Sequence, residues 1–136
     1  MGGQVDFHPG GREVGTVEIR KTLAGCVDPL FKELPKRFQA HATHAQSVLA
    51  LPSESILLAE NDFEAHHAFR IGPCAWGVQL HPEYNSHVMR DYLHKQEKLL
   101  TESGQDVAAL SQAICDTPAA NALLARFASL ASKGTC

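Results

Sequence analysis

The stretch Cys74-Ala75-Trp76-Gly77-Val78-Gln79-Leu80-His81-Pro82-Glu83 decides how this chain is read. Its apolar run from Cys74 to Leu80 has the length and composition of a buried strand, and polar residues begin where that strand would leave its sheet. Proline disfavours the helical region for the residue before it, so His81 is expected to be extended, while Pro82 fixes its own φ at about −65°. Side chains two apart in an extended chain point the same way, which brings the Glu83 carboxylate beside the His81 imidazole. A histidine oriented by a carboxylate is the base-plus-orienter half of a nucleophilic triad. In open α/β sheets, ligands gather beyond the carboxyl ends of the strands, which is where this pair would sit. The bland alternative is a polar corner at the rim of a sheet, and His-Pro-Glu alone does not separate the two.

Upstream of that run the chain reads as strands punctuated by turns. His8-Pro9-Gly10-Gly11 is a turn, and Val14 to Thr22 carries β-branched residues. Leu30 to Phe38 is mixed and reads as a loop with a helical turn. Extended segments are expected around His41-Ala42-Thr43-His44 and from Ser47 to Leu51, then at Ser55 to Glu60 and Ala65 to Ile71. Downstream, the period becomes helical from about Ser86 to Leu100. Beyond Ser103-Gly104, Val107, Leu110 and Ile114 recur on one face. Thr117-Pro118 is a cap followed by a first-turn proline, and Leu123, Leu124, Phe127 and Leu130 follow at helical spacing. Strands in succession with short connections and one long helix differ from the alternation of a complete doubly wound domain. The pattern predicts an α/β fold: a partial doubly wound, flavodoxin-like domain over residues 1–100, with a helical tail over 101–136.

The chain has 136 residues, 44% of them hydrophobic, and a net charge of −3 with both signs interspersed. That is enough for one packed core, with no basic footprint for nucleic acid and no basic face for a membrane. No apolar run is long enough to span a bilayer, and the first residues lack the basic and apolar regions of a signal peptide. Cys26, Cys74, Cys115 and Cys136 are far apart, none in a C-x-x-C pair, so free thiols in a cytoplasmic protein are expected rather than a disulfide framework.

Two histidine pairs invite a metal reading. His41 and His44 sit three apart, which suits one face of a helix, but their segment reads as extended and no acidic or cysteine partner lies at ligand spacing. His66 and His67 on a strand would point to opposite faces. No metal and no cofactor are expected. A His/Glu pair wants a thiol, yet no cysteine sits in a G-x-C-x-G elbow. Cys74 precedes His81 on what reads as one strand, roughly 23 Å away at ~3.3 Å per residue. Cys26 has no elbow, and Cys115 and Cys136 lie in the tail.

Trp76-Gly77-Val78-Gln79-Leu80-His81-Pro82-Glu83 closely resembles the C-terminal signature of class I (triad-type) glutamine amidotransferases, W-G-x-Q-F/L-H-P-E. Thr43-His44-Ala45-Gln46-Ser47-Val48 with Leu51-Pro52 resembles the family's S/T-H-x-D-x-V…P segment, with Gln46 in place of the usual Asp. Met1-Gly2-Gly3-Gln4-Val5 resembles the A-L-G-G-x-V that follows the nucleophile elbow. The chain looks most like stand-alone amidotransferases related to the glutaminase domain of GMP synthase. The resemblance implies hydrolysis of the glutamine side-chain amide to glutamate and ammonia through a cysteinyl thioester. It implies His81 as general base and Glu83 as its orienter, with the backbone around Thr43, His44 and Ala45 holding the glutamine. It further implies that this chain begins just after the nucleophile and is inactive alone, as the base-bearing half of an active site. Its expected partners are then glutamine, the missing N-terminal half or a synthase, and further copies of itself, because a half-domain leaves an unpaired sheet edge and an apolar face. The alternative is a non-catalytic half-domain acting as an interaction module.

Overall fold

The structure, a computed structural model, describes residues 2–134; Met1 of the first motif and Cys136 lie outside the described residues. The β-branched run upstream forms β2 (Glu13–Lys21), which pairs antiparallel with β3 (Arg37–His44) from Glu13 opposite His44 to Arg20 opposite Arg37. On its other side, β2 meets β5 (Ser55–Glu60) through Arg20 and Lys21. β6 (Ala68–Ile71) and β7 (Ala75–Val78) extend the sheet as a meander, giving the order β3-β2-β5-β6-β7. A separate two-stranded ribbon joins β1 (Gln4–Phe7) to β4 (Gln46–Ala50). The result is the expected mixed α/β fold with a helical C-terminal tail. The described strands pair antiparallel throughout. The tight connections around β5, β6 and β7 favour this, because a parallel pair needs a crossover of about a dozen residues or more.

Helices cover the sheet. α1 (Leu23–Val27) is a single turn capped by the Thr22 hydroxyl, and Gly25 allows it to press against the backbone of Leu58, where a Cβ would collide with the carbonyl. The helix expected from Ser86 to Leu100 divides at Gln96 into α2 (Ser86–Lys95) and α3 (Glu97–Glu102), with Asn85 capping the first. The tail forms α4 (Val107–Ala113) and α5 (Pro118–Ser132). Pro118 opens α5 as expected, but the Thr117 side chain makes no capping bond and its hydroxyl is buried without a partner. α4 packs on β2 and α5 on β3.

Two apolar clusters follow. Ile19, Phe31, Leu58, Leu80, Ala120 and Leu123 belong to one, and Val14, Met89, Leu93, Leu100 and Ile114 to the other. In β3, Phe38, Ala40 and Ala42 are buried on one face, and His41 is buried on the other, where Arg37 and Gln39 remain exposed. Fully burying a side chain such as Leu58 or Phe31 contributes about 1.5–3 kcal/mol.

Two readings need correction. β7 is the edge of its sheet and not a buried strand: Ala75 and Val78 are exposed, and Trp76 and Gly77 half-buried. Its apolar character is used sideways, with Trp76 edge-on to Phe127 of α5 at 6.2 Å between ring centres. β6 begins at Ala68, so His66 and His67 lie in the preceding turn, where strand alternation does not govern them.

Candidate active site

His81 follows the end of β7, and its backbone N–H donates to the His41 carbonyl at 2.8 Å, tying it to β3. Its Nδ1 lies 2.7 Å from Glu83 Oε1, so the pair sought from the sequence is formed. With Nδ1 as donor to the carboxylate, Nε2 carries the lone pair, the tautomer a general base requires. Tyr84 stacks on the imidazole at 4.4 Å, a contact that sequence reasoning did not anticipate. The turn is clamped from the tail: Asn121 of α5 donates to the carbonyls of Pro82 and Tyr84, each at 2.7 Å. Upstream in the motif, Trp76 Nε1 donates to the buried Asp28 at 3.1 Å, a carboxylate also held by Arg70. Gly77 lies opposite Phe69, whose ring occupies the space of any Cβ at that position.

His41 joins the two halves of the site. It is buried, its Nδ1 is 3.2 Å from Thr16 Oγ1, and its Nε2 has no partner. Burial pushes its pKa below the usual histidine value against the pull of Asp116, and the charges of Arg90 and His81 add to the lowering.

Thr43, His44 and Ala45 lie at the end of β3 and in the bend after it. Thr43 pairs with Val14, the Ala45 carbonyl accepts from His8 N–H at 2.9 Å, and Gln46 is exposed. His44 lies three positions along β3 from His41, about 10 Å at ~3.3 Å per residue, so this segment and the His81 turn are neighbours along one strand without direct hydrogen bonds between them among the described residues.

His44 has a partner that the sequence concealed. Its Nε2 is 3.1 Å from Glu13 Oε2, the residue directly opposite in the β2–β3 register. His67 Nε2 approaches the same oxygen at 2.9 Å, and Asn61 donates to Glu13 Oε1 at 2.6 Å. Burial alone would push the Glu13 carboxyl up. Hydrogen bonding by His44, the proximity and charge of His67, and the Asn61 amide outweigh it and bring the pKa down to about 2. Glu13 and His44 meet only through the β2–β3 register, which no local spacing in the sequence carries.

The cysteines do not form an elbow. Cys26 lies within α1, and Cys74 precedes β7 at the end away from His81. Cys115 is exposed, and its backbone N–H donates to Thr16 Oγ1 at 3.3 Å, so the tail brings it within three contacts of His81 by way of Thr16 and His41. Among the described residues, no helix is long and apolar enough to cross a membrane.

No family model matches the chain. In sequence it is 30% identical over 78 residues to a GMP synthase (glutamine-hydrolyzing) of Thermosipho africanus, a match covering 53% of this chain and 15% of that protein. A GMP synthase (glutamine-hydrolyzing) of Christiangramia forsetii gives 30% over 73 residues, 53% of this chain and 14% of that one. In structure it superposes on a glutamine amidotransferase of Thermotoga maritima with a TM-score of 0.72 at 20% identity, covering 98% of this chain and 55% of the other. A glutamine amidotransferase of Methylobacillus flagellatus gives a TM-score of 0.58 at 18% identity, covering 95% and 51%. The chain thus spans about half the length of the solved structures it matches and a smaller part of the curated relatives. In fold, it resembles these solved glutamine amidotransferases.

Proposed function

We propose that the chain works in glutamine amidotransfer, hydrolysing the side-chain amide of glutamine to glutamate and ammonia in a Cys-His-Glu triad to which it contributes His81 and Glu83. The observation that carries this reading is the 2.7 Å contact of His81 Nδ1 with Glu83 Oε1 in a turn tied to β3 and α5. His81 Nε2 is the base that takes the proton from the thiol and returns it to the departing ammonia, and Glu83 holds the imidazole and stabilises its cation. The backbone of Thr43, His44 and Ala45 holds the α-amino and α-carboxylate groups of glutamine. The thiol comes from a segment with the elbow motif, which no cysteine of this sequence matches. A cytoplasmic setting and a synthase partner that receives the ammonia complete the reading.

The second reading, a non-catalytic interaction module, is favoured by apolar side chains left in solvent on β1 and α1: Phe7 is 68% exposed and Leu23 87%. The two are separated by ammonia release from glutamine in the complete enzyme, with this chain joined to its elbow-bearing segment. His81→Ala is expected to abolish turnover, and Glu83→Gln to lower it less, because the base moves the proton whereas the carboxylate only orients it. Near-normal turnover in His81→Ala would end the catalytic reading. The 136-residue chain alone is expected to release no ammonia, since losing triad members costs on the order of 10⁶ in rate. Turnover abolished by Cys26→Ser or Cys115→Ser would place the nucleophile inside this chain instead.

A further inference from the structure

Away from the His81 turn, the structure gathers a second set of donor atoms. Glu13 Oε2, His44 Nε2 and one nitrogen of His67 lie within 4.8 Å of one another, and all three side chains are nearly removed from solvent. The outer atoms of Glu13 and His44 are already held, whereas His67 Nδ1 has no partner. Asn61 occupies Glu13 Oε1 at 2.6 Å, and the Ser47 hydroxyl faces His44 Nδ1 at 3.4 Å. Outer partners that fix the far atom of each ligand and turn the near atom inward are the usual support of a bound ion.

His67 supplies the independent observation. It is fully buried, and neither ring nitrogen has a hydrogen-bond partner. Its Nε2 is 2.9 Å from Glu13 Oε2, yet the contact is not aligned as a hydrogen bond. Donors that converge on a shared centre aim their lone pairs at that centre and not at each other, which leaves short, misaligned contacts of this kind. In a purely hydrogen-bonded triad, both imidazoles would donate in line to the carboxylate; here only His44 does. Buried polar atoms are ordinarily paired, and an ion supplies the partner that His67 Nε2 lacks.

We propose that Glu13, His44 and His67 bind one divalent transition-metal ion of the zinc class. Two imidazoles and a carboxylate suit zinc at about 2.0–2.2 Å per ligand, and three protein ligands leave a further coordination position. The ion joins β2, the end of β3 and the turn before β6. Gln79 N–H donates to the His67 carbonyl at 2.9 Å, so the ion also steadies the approach to His81. The site stands apart from the amidotransfer reading, which uses only the backbone at His44.

The test is titration of the chelator-treated, folded chain with Co²⁺, followed by visible absorption, then displacement by Zn²⁺ with thermal unfolding as a second readout. One Co²⁺ per chain with d–d bands of a low-coordinate site, and a Tm raised by Zn²⁺, are expected. His67→Gln should remove the bands. Because that change falls at a fully buried residue and can cost the fold, Asn61→Ala serves beside it, with affinity lower by about 10–100-fold. The exposed pairs His87/Asp91 and His94/Glu97 are the competing surface sites, and His87→Ala with His94→Ala should leave binding unchanged. The proposal is overturned if the folded chain shows neither bands nor a Zn²⁺-dependent Tm. It is equally overturned if binding survives Asn61→Ala undiminished and disappears with His87 and His94.

Discussion

Replacing Glu13 by Gln keeps the shape of the side chain and its amide-accessible oxygen while removing the charge that His44, His67 and Asn61 surround. The carboxyl is held at about 2 against 4.5 for an ordinary glutamate. That lowering corresponds to about 3 kcal/mol of folding stability at neutral pH. Because the folded-state pKa is the lower one, this stability is fully present above about pH 4.5 and is lost as pH falls toward 2. At pH 3 about 1 kcal/mol of it should remain. Urea unfolding of the native chain and of Glu13→Gln, both in chelator, measures it directly. The variant is expected to be less stable by about 3 kcal/mol at pH 7, with the gap narrowing to about 1 kcal/mol at pH 3. His41 is buried in both proteins and cancels in the comparison. A gap that stays constant from pH 7 to pH 3 would refute the reasoning, because the loss would then be one of packing and not of a buried charge.

Acid should also act through His41 in its own window. Its folded pKa is depressed by burial, so it contributes stability present above the ordinary histidine pKa and lost as pH drops below it; a His41→Asn chain should show a flatter stability curve between about pH 7 and 5. Asn121→Ala removes both donors from the carbonyls of Pro82 and Tyr84 and is expected to cost about 2 kcal/mol, with faster amide exchange at Tyr84 by NMR while the β2–β3 amides stay protected. The chain should self-associate, since Phe7, Leu23 and Val27 are exposed and β3 and β7 are sheet edges. A cooperatively unfolding monomer at tens of micromolar in sedimentation equilibrium would show that these surfaces are tolerated in water.

The strands were legible where the side chains themselves carry the pattern. Val14, Thr16, Val17 and Ile19 announce β2, and Ser55 to Glu60 announces β5. The His81–Glu83 contact was legible because it depends only on residues two apart and a proline between them. The burial of β7 was misread because Trp76 and Val78 are apolar for a helix and not for a covering layer over the whole strand. They line a groove against Leu123 and Phe127 of a helix far downstream, and composition cannot say which partner an apolar side chain serves. Glu13 with His44 and His67 was invisible for a related reason. The three meet through the β2–β3 register and through a turn that reads as strand, and neither is written in local spacing. The tail matched no motif, yet it supplies Asn121.

That clamp has a consequence for how the molecule is made. Pro82 and Asn121 are 39 positions apart, and Tyr84 and Asn121 37. On a ribosome the His-Pro-Glu turn is made well before Asn121, so nascent chains carry the signature while the turn still lacks its α5 clamp. Only after α5 has emerged and docked on β3 is the turn held by Asn121 as well as by the His41 carbonyl. A chain arrested in synthesis, or clipped by a protease before Asn121, would keep every residue of the signature and lose its hold on it. Screens that look for the short signature alone would count such a product as intact.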